Sequence, residues 1–225
     1  MQLFIDTANI EQIRTAYSWG ILDGVTTNPT HIAATGRGFD DVLDEIFKIV
    51  DGPISVETVS LKSETIVEEG KAIHALHKNA VVKVPVMVEG LKAVKQLSSE
   101  GIRTNVTLCF SPVQAFLAAK AGATYISPFV HRKDLAGDDG MQMVRQIRTI
   151  FDRYGYETKI LAASIRTTKE VLDCLLAGAD VATMPFDILE SLYKHLMTDA
   201  GLQMFLNDWK NVPPSRLFSG LAVSK

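Results

Sequence analysis

Short apolar runs alternate with amphipathic helical patterns along almost the whole chain, and this alternation limits the folds open to it. An apolar run of about four to eight residues between turn signals is typical of a buried strand, and strands alternating with helices are typical of a parallel sheet. Eight strands of this kind predict a closed (β/α)₈ TIM barrel. The predicted strands are residues 3–6, 24–27, 54–59, 81–85, 104–108, 125–128, 159–163 and 181–184.

Glycine ends several of the predicted helices just before the next strand. It closes helices well because it adopts the left-handed αL conformation without steric cost. The helices themselves repeat apolar residues every three or four positions, as at Leu91, Val94 and Leu97, and are expected to form an outer ring. The predicted αL positions are Gly20, Gly101, Gly122 and Gly178.

The residues after the last strand predict an extra C-terminal helix beyond those of a minimal barrel. Leu202, Phe205 and Leu206 share one helical face, and the pattern ends near Trp209. Such a helix packs either on another subunit or beneath its own barrel, and the sequence leaves both arrangements open. At 225 residues with 47% hydrophobic content, the chain is long enough for one large core. We therefore expect a single domain, residues 1–225.

Composition narrows the class of partner. A net charge of −3 without any basic run predicts neither nucleic acid nor an anionic membrane as partner. No segment has the pattern of a signal peptide or a membrane span. Cys109 and Cys174 are far apart, which argues against a disulfide scaffold or a zinc site and fits a reducing cytoplasm. We expect a cytoplasmic protein that acts on a small molecule, with both cysteines in the core.

His74 and His77 have a spacing that could bind a metal on a helix face. No third ligand accompanies them, so solvated helix residues are the favoured interpretation, and no metal site is predicted.

Polar side chains occur at nearly every predicted strand end, where the catalytic residues of such barrels lie. Residues two apart on a strand share a face, so Asn105 and Thr107 are expected to converge on Lys83. The candidates are Asp6, Thr27, Asn28, Glu57, Lys83, Asn105, Thr107, Ser127, Ser164 and Arg166.

Lys83 stands within the apolar run AVVKVPVM. It could extend its stem to solvent, pair with a carboxylate such as Glu57, or act as a nucleophile. Desolvation among valines favours the neutral amine, which forms a Schiff base with a carbonyl. Asp6 and Glu57 could then transfer protons, one at the hydroxyl next to the breaking C–C bond and one through a water. For Asp6 the alternative is an N-cap of the helix that begins near Ile10.

Three further residues predict an anion site. Arg132, in SPFVHRKD, and Arg166, in AASIRT, carry guanidinium groups that bind phosphate through a planar fork, and Ser164 adds a hydroxyl. Ser164 and Arg166 could instead simply begin the next helix, although a helix N-terminus also favours an anion. A phosphorylated sugar fits this set of groups.

Taken together, the motifs cover nearly the whole chain: DTANI, GVTTNPT, SVETVS, VVKVPV, TNVTLCFSP, ISPFVHR, AASIR and FLNDWK. In these motifs the sequence resembles the transaldolase family, specifically its small-subunit group, which includes the fructose-6-phosphate aldolases. The resemblance implies that Lys83 forms the Schiff base without any metal or organic cofactor. It also implies that Asp6 is the acid/base in C–C cleavage, and that Glu57 and Thr107 hold the catalytic water. Its implied substrate contacts are Thr27, Asn28, Asn105, Ser127 and Phe129, and its implied phosphate contacts are Arg132, Ser164 and Arg166.

The implied reaction transfers a dihydroxyacetone unit between sugar phosphates, as in the pentose phosphate pathway. Sedoheptulose 7-phosphate and glyceraldehyde 3-phosphate give erythrose 4-phosphate and fructose 6-phosphate. The resemblance also implies a homo-oligomer, a pentamer or a decamer. Alternatives are a fructose-6-phosphate aldolase, which releases free dihydroxyacetone, and a sugar-phosphate-binding barrel without turnover.

Four positions separate the two activities within the family. Aldolases carry glutamine and tyrosine where this chain has Glu57 and Phe129, and apolar or small residues where it has Asn105 and Ser127. All four favour transaldolase. The sequence departs from the family at Met87, where threonine is common, and at His131, where glycine is common. The first is expected to alter the rim of the site, and the second to add a cation near the phosphate or to crowd it.

Overall fold

The computed structural model describes residues 1–213, in which eight parallel strands close into a barrel in sequence order, β1 to β8. Each strand pairs with its neighbours along the chain, and β8 pairs with β1. The predicted (β/α)₈ barrel is therefore confirmed. The strands are Gln2–Asp6, Gly24–Thr26, Ile54–Glu57, Ala80–Pro85, Thr104–Cys109, Tyr125–Pro128, Lys159–Ala162 and Val181–Met184.

Helices alternate with the strands along the chain, and the predicted C-terminal helix is present. In chain order from α1 to α11 they are Ile10–Ser18, Pro29–Ala34, Phe39–Ile49, Ser63–Leu76, Val88–Ser99, Pro112–Ala121, Val130–Leu135, Gly140–Tyr154, Thr168–Ala177, Phe186–Ser191 and Leu196–Trp209. The glycines expected in the αL conformation all have positive φ: Gly20, Gly101, Gly122 and Gly178.

An apolar layer fills the barrel interior near the N-terminal ends of the strands. Phe4 and Tyr125 form its centre, with ring centroids 6.4 Å apart. Gly24 is required here, because a Cβ at this position would lie 2.7 Å from the Phe4 ring. Val81, Leu161 and Val181 belong to the same cluster, and Ala163 joins it from just beyond the C-terminal end of β7. Side chains alternate faces along a strand, so the next inward residue lies two places on, nearer the C-terminal end.

That next inward residue is polar on several strands: Asp6 follows Phe4, Lys83 follows Val81, and Ser127 follows Tyr125. The apolar layer thus closes the barrel from below, and the polar residues lie above it. This is the arrangement that places reactive groups at the C-terminal face of such barrels.

The predicted third strand is too long, because β3 ends at Glu57 rather than at Val59. The backbone amide of Val59 donates to the Glu69 carboxylate on α4, and its side chain is 74% exposed. The prediction ran too far because Val59 is apolar and continues the strand pattern. In the structure its backbone amide bonds to the Glu69 carboxylate instead of to a neighbouring strand. The predicted ends of strands two and seven, at Thr27 and Ala163, are each one residue beyond the observed ends.

The chain divides into two compact units, Met1–Glu190 and Ser191–Lys225. The first holds the barrel, and the second contains α11, in which no residue is buried. A single domain over residues 1–225 stays a prediction. Within residues 1–213, no helix is both long and apolar enough to cross a bilayer.

Candidate active site

Lys83 and Glu57 form a buried ion pair inside the barrel. The register of β3 and β4 places them side by side, and Lys83 Nζ lies 3.1 Å from Glu57 Oε2. The same Nζ donates to the Thr27 carbonyl at 2.9 Å. Lys83 is only 6% exposed, so the interpretation in which its stem reaches solvent is wrong. A buried lysine beside a carboxylate has a proton acceptor within hydrogen-bond reach.

A buried chain of hydrogen bonds fixes the amide of Asn105, which lies beside Lys83 in the register of β4 and β5. Ser127 Oγ donates to Asn105 Oδ1 at 2.7 Å, and Asn105 Nδ2 donates to Ser55 Oγ at 3.1 Å. All three polar side chains are at most 1% exposed. With both ends of the amide engaged, its orientation toward the lysine is determined.

Thr107 lies on the same face of β5, and its buried Oγ1 has no hydrogen-bond partner among the described residues. A buried hydroxyl without a partner costs free energy and marks a place for a water or a ligand group. The next residue, Leu108, has a φ of 57°, and the register of β5 with β6 shifts between Val106 and Cys109. A bulge of this kind redirects side chains next to active sites.

Asp6, at the end of β1, is held by two neighbours through the same oxygen. Thr26 Oγ1 donates to Asp6 Oδ1 at 2.9 Å, and His31 Nε2 lies 3.4 Å from that oxygen. Burial by itself raises the pKa of Asp6, but the contact with His31, the charge of Lys83 and the Thr26 hydroxyl together outweigh it, and the pKa lies below its ordinary value. The N-cap interpretation of Asp6 is wrong, because Asn9 caps α1.

A cavity of about 180 Å³ joins these groups to the predicted anion site. Arg132, on helix α7 after β6, and Arg166, in the loop between β7 and α9, both line this cavity. The Arg132 guanidinium lies 5.1 Å from the centre of the Phe129 ring, a cation–π contact that helps to hold it. Ser164 has a φ of 62°, in the left-handed region. The residues that line the cavity include Asp6, Thr26, Asn28, His31, Lys83, Thr107, Ser127, Phe129, Arg132, Ser164, Arg166 and Thr183.

Three predicted site residues lie outside the lining of this cavity. Glu57 and Asn105 reach it through Lys83 and Ser127, their hydrogen-bonded neighbours. Thr27 directs its hydroxyl to the Ser55 carbonyl at 2.8 Å and offers Lys83 its own carbonyl. Asn28 does line the cavity, but its side chain also caps α2 by accepting from the His31 amide at 2.9 Å.

His131 turns away from the cavity toward Glu170, with Nδ1 3.0 Å from Oε1. The other oxygen of Glu170 accepts from the backbone amides of Arg166 and Thr167, which precede α9. His131 therefore braces the loop that carries Arg166. Asp134 completes a group whose possible ligand atoms lie within 4.8 Å of one another. Since both Glu170 oxygens already have partners, this group is accounted for by structural contacts.

Met87, the other departure from the family pattern, precedes the first residue of α5.

Both cysteines are buried, as expected, and burial raises the pKa of each thiol to about 12. Thiols of this kind are poor nucleophiles. His74 is exposed on α4, whereas His77 stacks on Phe47 with ring centroids 4.9 Å apart.

Sequence reasoning missed several residues that line the cavity, among them Thr26, Thr30, His31 and Thr183. Thr183 Oγ1 lies 2.6 Å from Thr26 Oγ1, which in turn donates to Asp6. The inward period of β8 could have revealed Thr183, since it follows Val181 by two places. No local pattern singled out His31, because its contact with Asp6 joins two elements, α2 and β1, that are separate along the chain.

Comparison with known proteins identifies the family of this chain. The family model described as Transaldolase/Fructose-6-phosphate aldolase matches residues 3–215. The chain belongs to the transaldolase/fructose-6-phosphate aldolase family. The resemblance seen in the sequence motifs is thereby confirmed.

Three curated relatives in this family cover nearly the whole chain, and each carries the name "Probable transaldolase". The protein of Hydrogenobaculum sp. (strain Y04AAS1) is 60% identical over 95% of this chain and 98% of its own length. The protein of Thermoplasma acidophilum is 58% identical over 95% of this chain and 97% of its own length. The protein of Aquifex aeolicus is 56% identical over 95% of this chain and 98% of its own length.

Proposed function

We propose that this protein is a transaldolase that carries a dihydroxyacetone unit between sugar phosphates as a Schiff base on Lys83. The observation that carries the proposal is one cavity that joins a carboxylate-paired lysine, a second carboxylate at Asp6, and two arginines. Lysine and carboxylates serve covalent chemistry at a carbonyl, and the arginines suit a phosphate at the far end of the substrate. The names of the relatives agree with this activity.

The first stage forms the Schiff base. Glu57, at 3.1 Å, accepts the proton that Lys83 loses before its nitrogen attacks the ketone carbon of the substrate. The resulting carbinolamine loses its hydroxyl as water. The unpartnered Thr107 hydroxyl offers this water a hydrogen bond at the same end of the barrel.

The second stage breaks the carbon–carbon bond. Asp6 takes the proton of the C4 hydroxyl, the electrons of the C3–C4 bond pass into the iminium, and an aldose phosphate leaves. Lowering of the Asp6 pKa favours the ionised form that this step requires. An acceptor aldose phosphate then adds to the enamine by the reverse steps, and hydrolysis frees Lys83.

Retention of the enamine separates a transaldolase from an aldolase. Phe129 lines the cavity and has no hydroxyl, so it cannot protonate the enamine and release free dihydroxyacetone. The Asn105 and Ser127 side chains, fixed by their mutual hydrogen bond, supply polar contacts to the bound three-carbon unit. These features favour transfer over aldol cleavage.

The proposal extends to the setting of the enzyme: the cytoplasm, the pentose phosphate pathway, and a homo-oligomer. Exposed apolar side chains on α11 support self-association, since Phe205 is 67% and Leu202 57% exposed. Light scattering on the purified protein tests the oligomer, and a monomeric mass contradicts it.

Product analysis tests the activity. Fructose 6-phosphate is supplied with and without erythrose 4-phosphate, and sedoheptulose 7-phosphate and free dihydroxyacetone are followed together. Transaldolase activity gives sedoheptulose 7-phosphate only with the acceptor and little dihydroxyacetone in either case. Rapid dihydroxyacetone release without the acceptor identifies an aldolase instead. No product, together with no borohydride-trapped adduct on Lys83, identifies a barrel without turnover.

A further inference from the structure

His31 is a titratable residue of the cavity to which neither the sequence motifs nor the proposed mechanism assigns a role. It lies on α2, where Asn28 accepts a hydrogen bond from its backbone amide. Its side chain is 31% exposed, and Nε2 lies 3.4 Å from Asp6 Oδ1. The imidazole therefore stands between solvent and the carboxylate that handles the substrate proton.

The contacts of Asp6 are unequal between its two oxygens. Thr26 donates to Oδ1, and His31 approaches the same atom, whereas the described residues make no hydrogen bond or ion pair with Oδ2. A hydroxyl and an imidazole that both contact Oδ1 limit the orientations open to the carboxylate. Oδ2 is the oxygen left for the substrate.

We propose that His31 is the positioning residue of Asp6: it holds the carboxylate in the orientation and the ionised state in which Oδ2 accepts the C4 hydroxyl proton. This inference rests on the proposed dihydroxyacetone transfer. During cleavage the proton moves from the C4 oxygen to Oδ2, the C3–C4 electrons move to the iminium nitrogen, and the C4 oxygen becomes the aldehyde of the product. His31 neither gains nor loses a proton in that step.

The surrounding charges make His31 the neighbour on which the charge state of Asp6 depends most. Lys83 is the other cation that acts on Asp6, but it is paired with Glu57. Thr26 and Thr183, from β2 and β8, are uncharged. The arginines in the same cavity, Arg132 and Arg166, belong to the predicted phosphate site.

On its other side, His31 borders a second cavity that holds Glu11, Arg37 and Glu45. Arg37 and Glu45 are paired with each other at 2.6 Å.

The test compares His31→Leu with His31→Gln, and uses His74→Leu, an exposed histidine on α4, as the matched control. Leucine removes the imidazole and its ring nitrogens, whereas glutamine keeps a polar donor at this position. The measurements are kcat and KM for transfer as a function of pH, borohydride trapping on Lys83, and the titration of the Asp6 carboxyl by ¹³C NMR. The Asp6 resonance is assigned by its loss in Asp6→Asn.

For His31→Leu we expect kcat to fall about tenfold with KM little changed, as misplacement of a reacting group costs rate. The acid limb of the profile and the Asp6 titration should both move up by about one pH unit, because an opposite charge at this distance shifts a carboxyl by about that much or more. His31→Gln should recover part of kcat but keep the shifted acid limb. Trapping on Lys83 and the behaviour of His74→Leu should match the parent protein.

An Asp6 titration that is the same in His31→Leu and in the parent protein overturns the inference, even if kcat falls, because a purely structural role leaves that titration unmoved. The NMR measurement needs no turnover. If the parent protein fails to transfer dihydroxyacetone, the proposed function fails separately, and the titration still decides whether His31 controls Asp6.

Discussion

Glu57 and Lys83 occupy directly paired positions on neighbouring parallel strands, and their charged atoms lie 3.1 Å apart. Each is largely buried, with side chains 15% and 7% exposed. Taking two charges out of water carries a desolvation cost that their attraction offsets only when geometry and further hydrogen bonds are good. A pair of this kind contributes little net stability, which agrees with the chemical role proposed for it.

Replacing Lys83 by Met should abolish turnover and the borohydride-trapped substrate adduct, because the nucleophile of the Schiff base is gone. Mass spectrometry of the trapped protein and a transfer assay measure the two effects. Lys95→Met, an exposed lysine on α5, is the control and should behave as the parent protein. Persistent turnover in folded Lys83→Met protein contradicts the mechanism.

Thr107→Val should lower kcat by slowing formation and hydrolysis of the Schiff base, since it removes the hydroxyl that we propose holds the catalytic water. Its free energy of unfolding should be unchanged or higher, because the lost hydroxyl is buried without a partner among the described residues. Thr104→Val is the matched control: its hydroxyl is equally buried and unpartnered, but it lies on the other face of β5. Urea unfolding and single-turnover kinetics separate the effects, and equal kinetic losses in the two variants contradict the assignment.

Phe129→Tyr should convert part of the transfer activity into release of free dihydroxyacetone. The new phenol faces the cavity and supplies a proton donor for the enamine. A positioned acid contributes roughly 10²–10⁴-fold, so a gain in release of at least about tenfold is expected. Dihydroxyacetone is assayed without an acceptor. Phe110→Tyr is the control, because the Phe110 ring packs against Phe129 with centroids 5.6 Å apart. This variant should not release free dihydroxyacetone.

Arg166→Ala should raise KM for phosphorylated substrates about 10- to 100-fold, the equivalent of one charge-assisted hydrogen bond of about 1.5–3 kcal/mol. Activity on unphosphorylated fructose should hardly change, because the lost contact is with phosphate. Arg14→Ala, an exposed arginine on α1, controls for loss of positive charge. An equal loss on both substrates would place Arg166 outside the phosphate site.

The stability contributed by Asp6 should depend on pH in the acid range. Its pKa in the folded protein lies below the ordinary 3.8, so its ionised contacts stabilise the fold above about pH 3.8 and are lost as the pH falls through the folded value. The difference in unfolding free energy between the parent protein and Asp6→Asn should therefore shrink below that pH. Urea unfolding from pH 6 to pH 3 measures it, and a constant difference contradicts the lowered pKa.

Much of the barrel and many of its polar residues were predictable because strand and helix periods are local. The inward face of each strand follows from alternation, which is how Asn105 and Thr107 were placed on the face of Lys83. The same reasoning failed at Val59, whose backbone amide bonds to the Glu69 carboxylate on α4 after the strand has ended. For Asp6 it left an N-cap role open as the alternative, and that role belongs to Asn9.

By itself, the sequence determined the number and order of the strands, the extra C-terminal helix, and which reactive side chains stand at the strand ends. Only the tertiary structure decided which of them touch: Lys83 with Glu57 and the Thr27 carbonyl, and Asp6 with Thr26 and His31. These partners lie 20 or more residues apart along the chain. Their distances depend on barrel closure and on where α2 lies relative to the end of β1, which no local hydrophobic period encodes.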